Sequence, residues 1–489
     1  MKKKNLILTV ALLLTMCMAV ACAAPAATPT AAPAVTEAPT QAPAAATAAP
    51  TEAPKVTLKL GIWPEDTMTD EIKLHEGYVK TFSETHPNVE VVPAYYKYAT
   101  DTFISMAEAK TLPTIFETWY TEPQKLISGG FVKDITDILQ ARGWLDAINP
   151  TIKTLLSDAN GRVYGIPRDG YALGLMCNVS LFEQAGLKNA DGTIQYPKTW
   201  DELATVAKTI KDKTGAAGLC LLAKDSAGGW HFSNIAWAFG ANLCSQDASG
   251  KFVSNLATPE AIAAMQYVKD LRWKYDVLTA DPTNEDWGTG FTELGTGAAA
   301  MYIAANDAVS QPTYTNKLPV DQLALVPMPA GPGGQFSLSG GTPYMFPANA
   351  TDDEVNAALD YLEIMGKAPV ASDNAIKGMQ DDAQYRVDNG IPVIPRFPCW
   401  TKQELLDAEN AIVKQYSNVN MALYNDYFDI TKKAGNLRME EVGSTQDMYG
   451  ELTKVLQAVV TDKKADVTAL MQTANSNYQQ ILDTKLNSK

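Results

Sequence analysis

Residues 160–187 read NGRVYGIPRDGYALGLMCNVSLFEQAGL, and residues 196–210 follow with YPKTWDELATVAKTI. Inside the second stretch, Thr199-Trp200-Asp201-Glu202 has capping-box spacing, in which a Thr hydroxyl and a Glu carboxylate satisfy the free N–H groups of a helix start. The signature returns at Thr351-Asp352-Asp353-Glu354. Thr258-Pro259 opens another helix, with Ile262, Met265, Val268 and Leu271 on one face. Strand-like segments lie upstream. Val56, Leu58, Leu60 and Ile62 alternate at period two; a helix is expected from about Glu71 to Glu84, a second strand at Val89-Glu90-Val91-Val92 and a third from Thr114 to Trp119. Alternation of strand and helix from Lys55 onward predicts α/β layers with mostly parallel sheets. No internal repeat is found. At 489 residues the chain is too long for one hydrophobic core, so two lobes are expected.

The chain before Lys55 differs in character. Lys2, Lys3 and Lys4 precede a short apolar run from Leu6 to Val20, the pattern of a signal peptide rather than a membrane-spanning helix. It ends Ala19-Val20-Ala21-Cys22, which resembles the bacterial lipobox, whose cysteine is lipidated after cleavage. Position 19 is Ala where that pattern has Leu, and plain cleavage at Ala-x-Ala is the other reading. Cys17 is a poorer acceptor because Met16 precedes it. Residues 23–54 are almost wholly Ala, Pro and Thr, with nothing large and apolar to bury, so they are expected to be a disordered tether. At ~3.1 Å per residue such a spacer reaches on the order of 100 Å. Residues 1–21 are therefore read as a leader and 22–54 as lipidated Cys22 plus spacer. The rest is expected to be exported and held at the outer face of the bacterial membrane.

Hydrophobic residues make up 46% and charged residues 19%, an ordinary soluble balance. The formal net charge is −15, and nearer −18 without Lys2–Lys4. That disfavours nucleic-acid binding, which needs a basic stripe. Only His75, His86 and His231 are present, with no HExxH and no Cys/His zinc spacing, so neither metal nor cofactor is expected. No GxSxG elbow or P-loop occurs. Gly295-Thr296-Gly297-Ala298-Ala299-Ala300 follows a helix and precedes a strand, the reverse of the dinucleotide-binding order. Of Cys177, Cys220, Cys244 and Cys399, Cys220 with Cys244 is the best candidate disulfide, although a fold of this size does not need one.

Several landmarks in order resemble family 1 extracellular solute-binding proteins, the group that includes the maltose-binding protein. They are GIWPED after the first strand, YVKTFSETHPNVEVVPAYY, LPTIFETWYTEPQKLISGGFVKDI, the stretch quoted at the outset, FTELGTGAAAMYIAAN, and LALVPMPAGPGGQFSLSGGTPYMF. Each is soft alone; their order, over residues 55–485 and behind a lipobox, is specific. The resemblance implies a two-lobed periplasmic-binding-protein type II fold, with lobe one at 55–171 and 340–373 and lobe two at 172–339 and 374–489. Crossings are expected near Gly170–Leu173, Ser339–Thr342 and Ser372–Ile376. It further implies a monomeric, non-catalytic receptor that closes around a sugar or oligosaccharide and docks on the permease of an ABC transporter. A tethered glycoside hydrolase, needing only two carboxylates, and a binding protein for peptides or lipids are the alternatives.

Sugars offer C–H patches to aromatic rings and hydroxyls to paired donors and acceptors. Strand ends supply that mixture here. Trp63 follows the first strand with Glu65 and Asp66. Tyr95, Tyr96 and Tyr98 follow the second, and Glu117, Trp119 and Tyr120 close the third. Arg168, Asp169 and Tyr171 fall on the first crossing, and Gly340 and Gly341 would let backbone bend and approach a ligand on the second. Trp230 is placed in a Gly228-Gly229-Trp230-His231 loop ahead of an apolar helix; Asn306 and Asp307 follow AAAMYIA, where maltose-type members carry a large aromatic; Trp400 follows Pro395 and Pro398. Trp237 and Trp273 are read as packing. Arg168 is either a bidentate partner for a carboxylate on an acidic sugar or half of a structural pair with Asp169 or Glu117.

Overall fold

The structure is a computed structural model that describes residues 55–100, 102–433, 435–441 and 443–488. The leader, Cys22 and the Ala/Pro/Thr run lie outside those residues. The opening alternation forms strand β1 (Val56–Leu60), parallel to β2 (Val89–Pro93), with helix Thr69–Thr85 between them. Leu60 bridges to Ile115, which sets β3 (Phe116–Glu117) beside β1; β3 is shorter than the expected Thr114–Trp119.

Residues 160–187 contain the longest strand, β4 (Gly165–Asn178). Short β5 (Cys244–Gln246) and β6 (Phe252–Ser254) pair only with each other. β7 (Met301–Ala305) and β8 (Leu323–Val326) flank the second half of β4, and β9 (Ser337–Met345) runs antiparallel along its first half. β3 joins the far side of β9, and β10 (Leu437–Met439) joins its start. The expectation of mostly parallel sheets is corrected here. Parallel pairing holds at β1–β2, at β10–β9 and in bridges such as Cys220–Tyr302 and Leu219–Leu278, but the ladders of β4 with β7, β8 and β9 are antiparallel. Two strands that carry the chain out of a lobe and back must run in opposite directions.

Helix starts behave as their chemistry requires. Thr351 and Glu354 cap reciprocally, and the hydroxyls of Thr199 and Thr258 accept the N–H groups of Glu202 and Ala261.

Burial divides the molecule. One large cluster gathers Leu173–Met176 of β4, Tyr302, Trp200, Trp237 and the helix Thr445–Thr461. A second gathers Leu58, Leu60, Ile166, Tyr344, Trp144 and Tyr361, with a small satellite around Phe103 and Phe116. β4 passes from the second cluster at Ile166 to the first at Ala172; β9 returns from Leu338 to Tyr344. Between those points the two strands pair with Gly170 opposite Gly341 and Tyr171 opposite Gly340. Gly341 has φ +151°, and a Cβ there would meet the Asp169 carbonyl at 2.5 Å. A Cβ on Gly340 would overlap the Tyr171 ring.

The third expected crossing is not a strand. Ser372 caps helix Asp373–Asp388, and Met379 and Ala383 of that helix join the lobe-one cluster, as do Cys399, Trp400, Leu405 and Ile412. Lobe two regains the chain at Leu423, after brief contact at Ile391 and Ile394. Residues 374–489 therefore do not all belong to lobe two: apolar faces on two helices keep the segment to about Ile412 on lobe one. Cys177, Cys220, Cys244 and Cys399 are buried and free, so no bridge joins Cys220 to Cys244. No helix among the described residues is long and apolar enough to cross a membrane.

Candidate functional site

A cavity of about 630 Å³ opens where the lobes face each other, within the range of small-molecule sites. The crossing contributes Arg168, Asp169 and Gly170, and the end of β7 contributes Asn306 and Asp307. The returning segment and its helices add Lys367, Asp382, Arg396, Phe397, Trp400 and Glu409, and lobe two adds Tyr427. Two hydrogen bonds join the lobes: the Tyr314 hydroxyl donates to Asp70 at 3.3 Å, and the Gln446 amide to Thr121 at 3.4 Å.

Arg168 sits at the centre. Its Nη1 meets Glu117 at 2.6 Å and its Nε meets Asp169 at 3.0 Å, so both structural pairings are made at once. Burial works against the Arg168 charge, but Asp169 and Glu117 outweigh it. Burial likewise raises Glu117, opposed chiefly by Arg168. Asp169 also accepts the Thr342 N–H across the strand pair, at 3.1 Å, so it braces the crossing. The guanidinium keeps 36% of its side-chain surface open, and the pairing contributes modest stability, about 1 kcal/mol or less. What the pairing fixes is position.

Asp382 holds Arg386 at 3.0 Å and Arg396 at 2.8 Å. Burial opposes its charge, yet the two arginines and Lys367 keep it below the usual carboxylate range. Asp307 faces this array from the other lobe, open to the cavity. Burial among protein atoms, then the charge of Asp169, pushes it up to about 7, against Arg168. Asn306 is buried and accepts the Tyr427 hydroxyl at 2.9 Å.

The other expected site residues divide. Tyr95 is 50% exposed and Trp119 42%, the latter edge-on to Tyr98 at 5.3 Å; with Met68 they are the exposed large apolar residues found among the described ones. All three follow lobe-one strands β1, β2 and β3. Glu65 is exposed near Tyr95, whose hydroxyl it influences. Tyr171 stands edge-on to Trp230 at 6.0 Å, and Trp230 to Trp287 at 5.2 Å, a lobe-two aromatic cluster.

Several expectations need correction. Trp63 packs on the lobe-one core and against His75 at 5.5 Å, and does not line the cavity. Tyr120 is buried, its hydroxyl donating to the Asp169 carbonyl at 3.3 Å. Tyr96 turns its hydroxyl inward against the satellite cluster. Trp400 reaches the cavity wall but is mostly core, its indole N–H on the Lys367 carbonyl at 3.2 Å. Gly340 and Gly341 meet protein, the Tyr171 ring and the Asp169 carbonyl, rather than the cavity. Trp230 is not in a loop: helix Asp225–Ala238 contains it, and Gly229 there lets the Tyr449 backbone pass where a Cβ would overlap it. Lys367, Asp382, Arg396, Phe397, Glu409 and Tyr427 were not anticipated. The proline-ringed run Pro392–Pro398, a loop that no periodicity describes, could have flagged Arg396 and Phe397; nothing local in the sequence marks the other four.

No group of three or more His, Cys, Asp or Glu side chains is placed to hold a metal among the described residues. The cavity offers fixed charges, free donors and acceptors, and nearby rings.

Comparison with known proteins gives a consistent picture. A family model described as bacterial extracellular solute-binding protein matches residues 66–370. A lactose-binding protein from Rhizobium radiobacter is 26% identical over 309 residues, 60% of this chain and 66% of that protein. The chain spans about half to two thirds of the length of the curated relatives it matches. Among solved structures, an ABC transporter solute-binding protein from Thermotoga lettingae bound with α-D-tagatose is 17% identical, with TM-score 0.65 over 87% of this chain and 100% of that one. UgpB from Mycobacterium tuberculosis, in complex with glycerophosphocholine, is 16% identical, with TM-score 0.66 over 89% and 100%. These likenesses establish the two-lobed α/β fold, which carries ligands of more than one kind.

Proposed function

The chain belongs to the bacterial extracellular solute-binding proteins, matched over residues 66–370, and on that premise we propose that it captures a saccharide between its lobes and delivers it to the permease of an ABC importer. The observation that carries this reading is the pairing of polar groups with the rings of Phe397, Trp400 and Tyr427 on the wall of the interlobe cavity, together with exposed rings on the strand-end loops of lobe one. Asp307 and Glu409 make no ion pair among the described residues, while Trp119 and Tyr95 remain exposed. Hydroxyls removed from water need such partners, and sugar C–H faces need such rings. The lactose-binding relative and the tagatose-bound neighbour point the same way.

Ligand touching Asp307 on lobe two and Lys367 or Glu409 on lobe one favours whichever form brings the lobes together, so binding shifts an open–closed equilibrium toward closed. The paired glycines at the crossing provide backbone that can bend. The closed form then docks, as a monomer, on the membrane permease. Nothing in the cavity requires bond cleavage for this role, and the protein acts as a receptor. Export follows from the leader, and lipidation of Cys22, followed by the Ala/Pro/Thr spacer, anchors the body at the outer membrane face.

Calorimetry on a panel of mono- and oligosaccharides tests the reading. Saturable one-to-one binding is expected, with the sugar recovered unchanged; steady product formation, or no binding across the panel, contradicts it. Trp119→Ala weakens binding by at least tenfold with the melting temperature held, because the ring is exposed. Cys22→Ala releases the protein from membranes, and continued retention rejects the anchor.

A further inference from the structure

We infer that the saccharide carries an anionic group, seated on Lys367; this rests on the saccharide reading above. Arg168 is committed to Glu117 and Asp169, and Arg386 and Arg396 both to Asp382. Lys367 stands among them, half-buried, and its Nζ has no ion pair and no hydrogen bond to any described residue. Even a half-buried ammonium without a partner is unfavourable, and proteins normally pair such a group or supply it with a ligand.

The surroundings favour an anion over a hydroxyl as that partner. Burial, then repulsion from Arg396 and Arg168, lowers Lys367 to about 8, and those two cations outweigh the pull of Asp382 and Asp169. A ligand anion at Nζ would offset that repulsion. Of the two remaining carboxylates on the wall, Asp307 is pushed up to about 7 and Glu409 is raised above its ordinary value, chiefly by burial. They remain suited to the hydroxyls of the same ligand. Lys presents a compact charge rather than a planar fork, so a carboxylate or a phosphate on the sugar satisfies the same chemistry.

Matched pairs separate the sources: glucuronate against glucose, galacturonate against galactose, and glucose 6-phosphate against glucose, together with trigalacturonate against galactotriose, all titrated into the whole chain. At least one acidic member is expected to bind ten times more tightly than its neutral partner, and whether carboxylate or phosphate wins identifies the group. In Lys367→Met the preference disappears, acid and neutral partner binding alike; Lys367→Arg keeps it. Circular dichroism and the melting curve of each variant establish that it folds, and an unfolded Lys367→Met leaves the Arg variant and the wild-type preference as the deciding readouts. Neutral partners binding as tightly as acids in every pair overturns the inference while leaving the saccharide reading intact, as does a preference that survives Lys367→Met. Failure of every saccharide rejects the underlying reading, and the inference falls with it.

Discussion

The two halves of strand β4 share a backbone and differ in almost everything else. From Leu173 to Asn178 every residue is buried, and β7 and β8 pair with it on either side. From Arg168 to Tyr171 the same strand carries charge, glycine and a phenol, and β9 is its ladder partner there. The first environment demands apolar side chains, because a strand covered on both faces has no water to meet. The second must bend, hold a guanidinium in place and face a ligand. Stability and function are thus adjacent along one strand, separated by fewer than ten residues, and substitutions should show it.

Leu175→Ala, within the buried half, is expected to cost about 2–5 kcal/mol of unfolding free energy, the range for deleting a fully buried leucine side chain. Urea denaturation measures it, and a loss below 1 kcal/mol would break the contrast. Gly341→Ala, within the crossing, imposes strain at φ +151° and contact with the Asp169 carbonyl; about 1–3 kcal/mol is expected, together with altered ligand affinity. Affinity unchanged beside lost stability would make that glycine purely structural.

Opposite pH signs sharpen the comparison further. His231 is fully buried in lobe two between Trp230, Trp287 and Tyr302, and burial lowers it from 6.5 to about 3. The unfolded chain binds that proton first, so the stabilisation is complete above pH 6.5 and is lost as pH falls toward 3, by at most about 1.4 kcal/mol per pH unit. Asp307, in the cavity, is raised from 3.8 to about 7. The folded state holds its proton longer, so its contribution is present below pH 4 and fades as pH rises through 7; its open position screens the effect to a smaller size. Between about pH 4 and 6.5, His231→Leu should therefore lower the slope of stability against pH and Asp307→Asn should raise it; slope changes of the same sign would contradict the assignment.

Much of this was legible in the sequence, for physical reasons that can be named. Capping boxes mark helix starts because their chemistry is local, so Thr199, Thr258 and Thr351 needed no tertiary information. The crossing near Gly170–Leu173 came from the order of the family landmarks, not from any local pattern. Residues 366–400 were not legible, since their place depends on two helices returning to lobe one, and prolines leave no period to read. Gly228-Gly229 misled for a related reason: in isolation they signal a break, whereas Gly229 lets the Tyr449 backbone approach the helix. Trp63 and Tyr120 occupy strand-end positions as expected, yet their rings turn to the core, because a strand end fixes where a side chain starts and packing decides where it points.

Spin labels at Lys80→Cys on lobe one and Lys213→Cys on lobe two, both on exposed helix positions, measure the separation of the lobes directly. Titration with a saccharide that binds is predicted to shift the label distance and narrow its spread in proportion to occupancy, saturating with the calorimetric isotherm. A distance distribution that stays unchanged at full occupancy would contradict ligand capture between moving lobes.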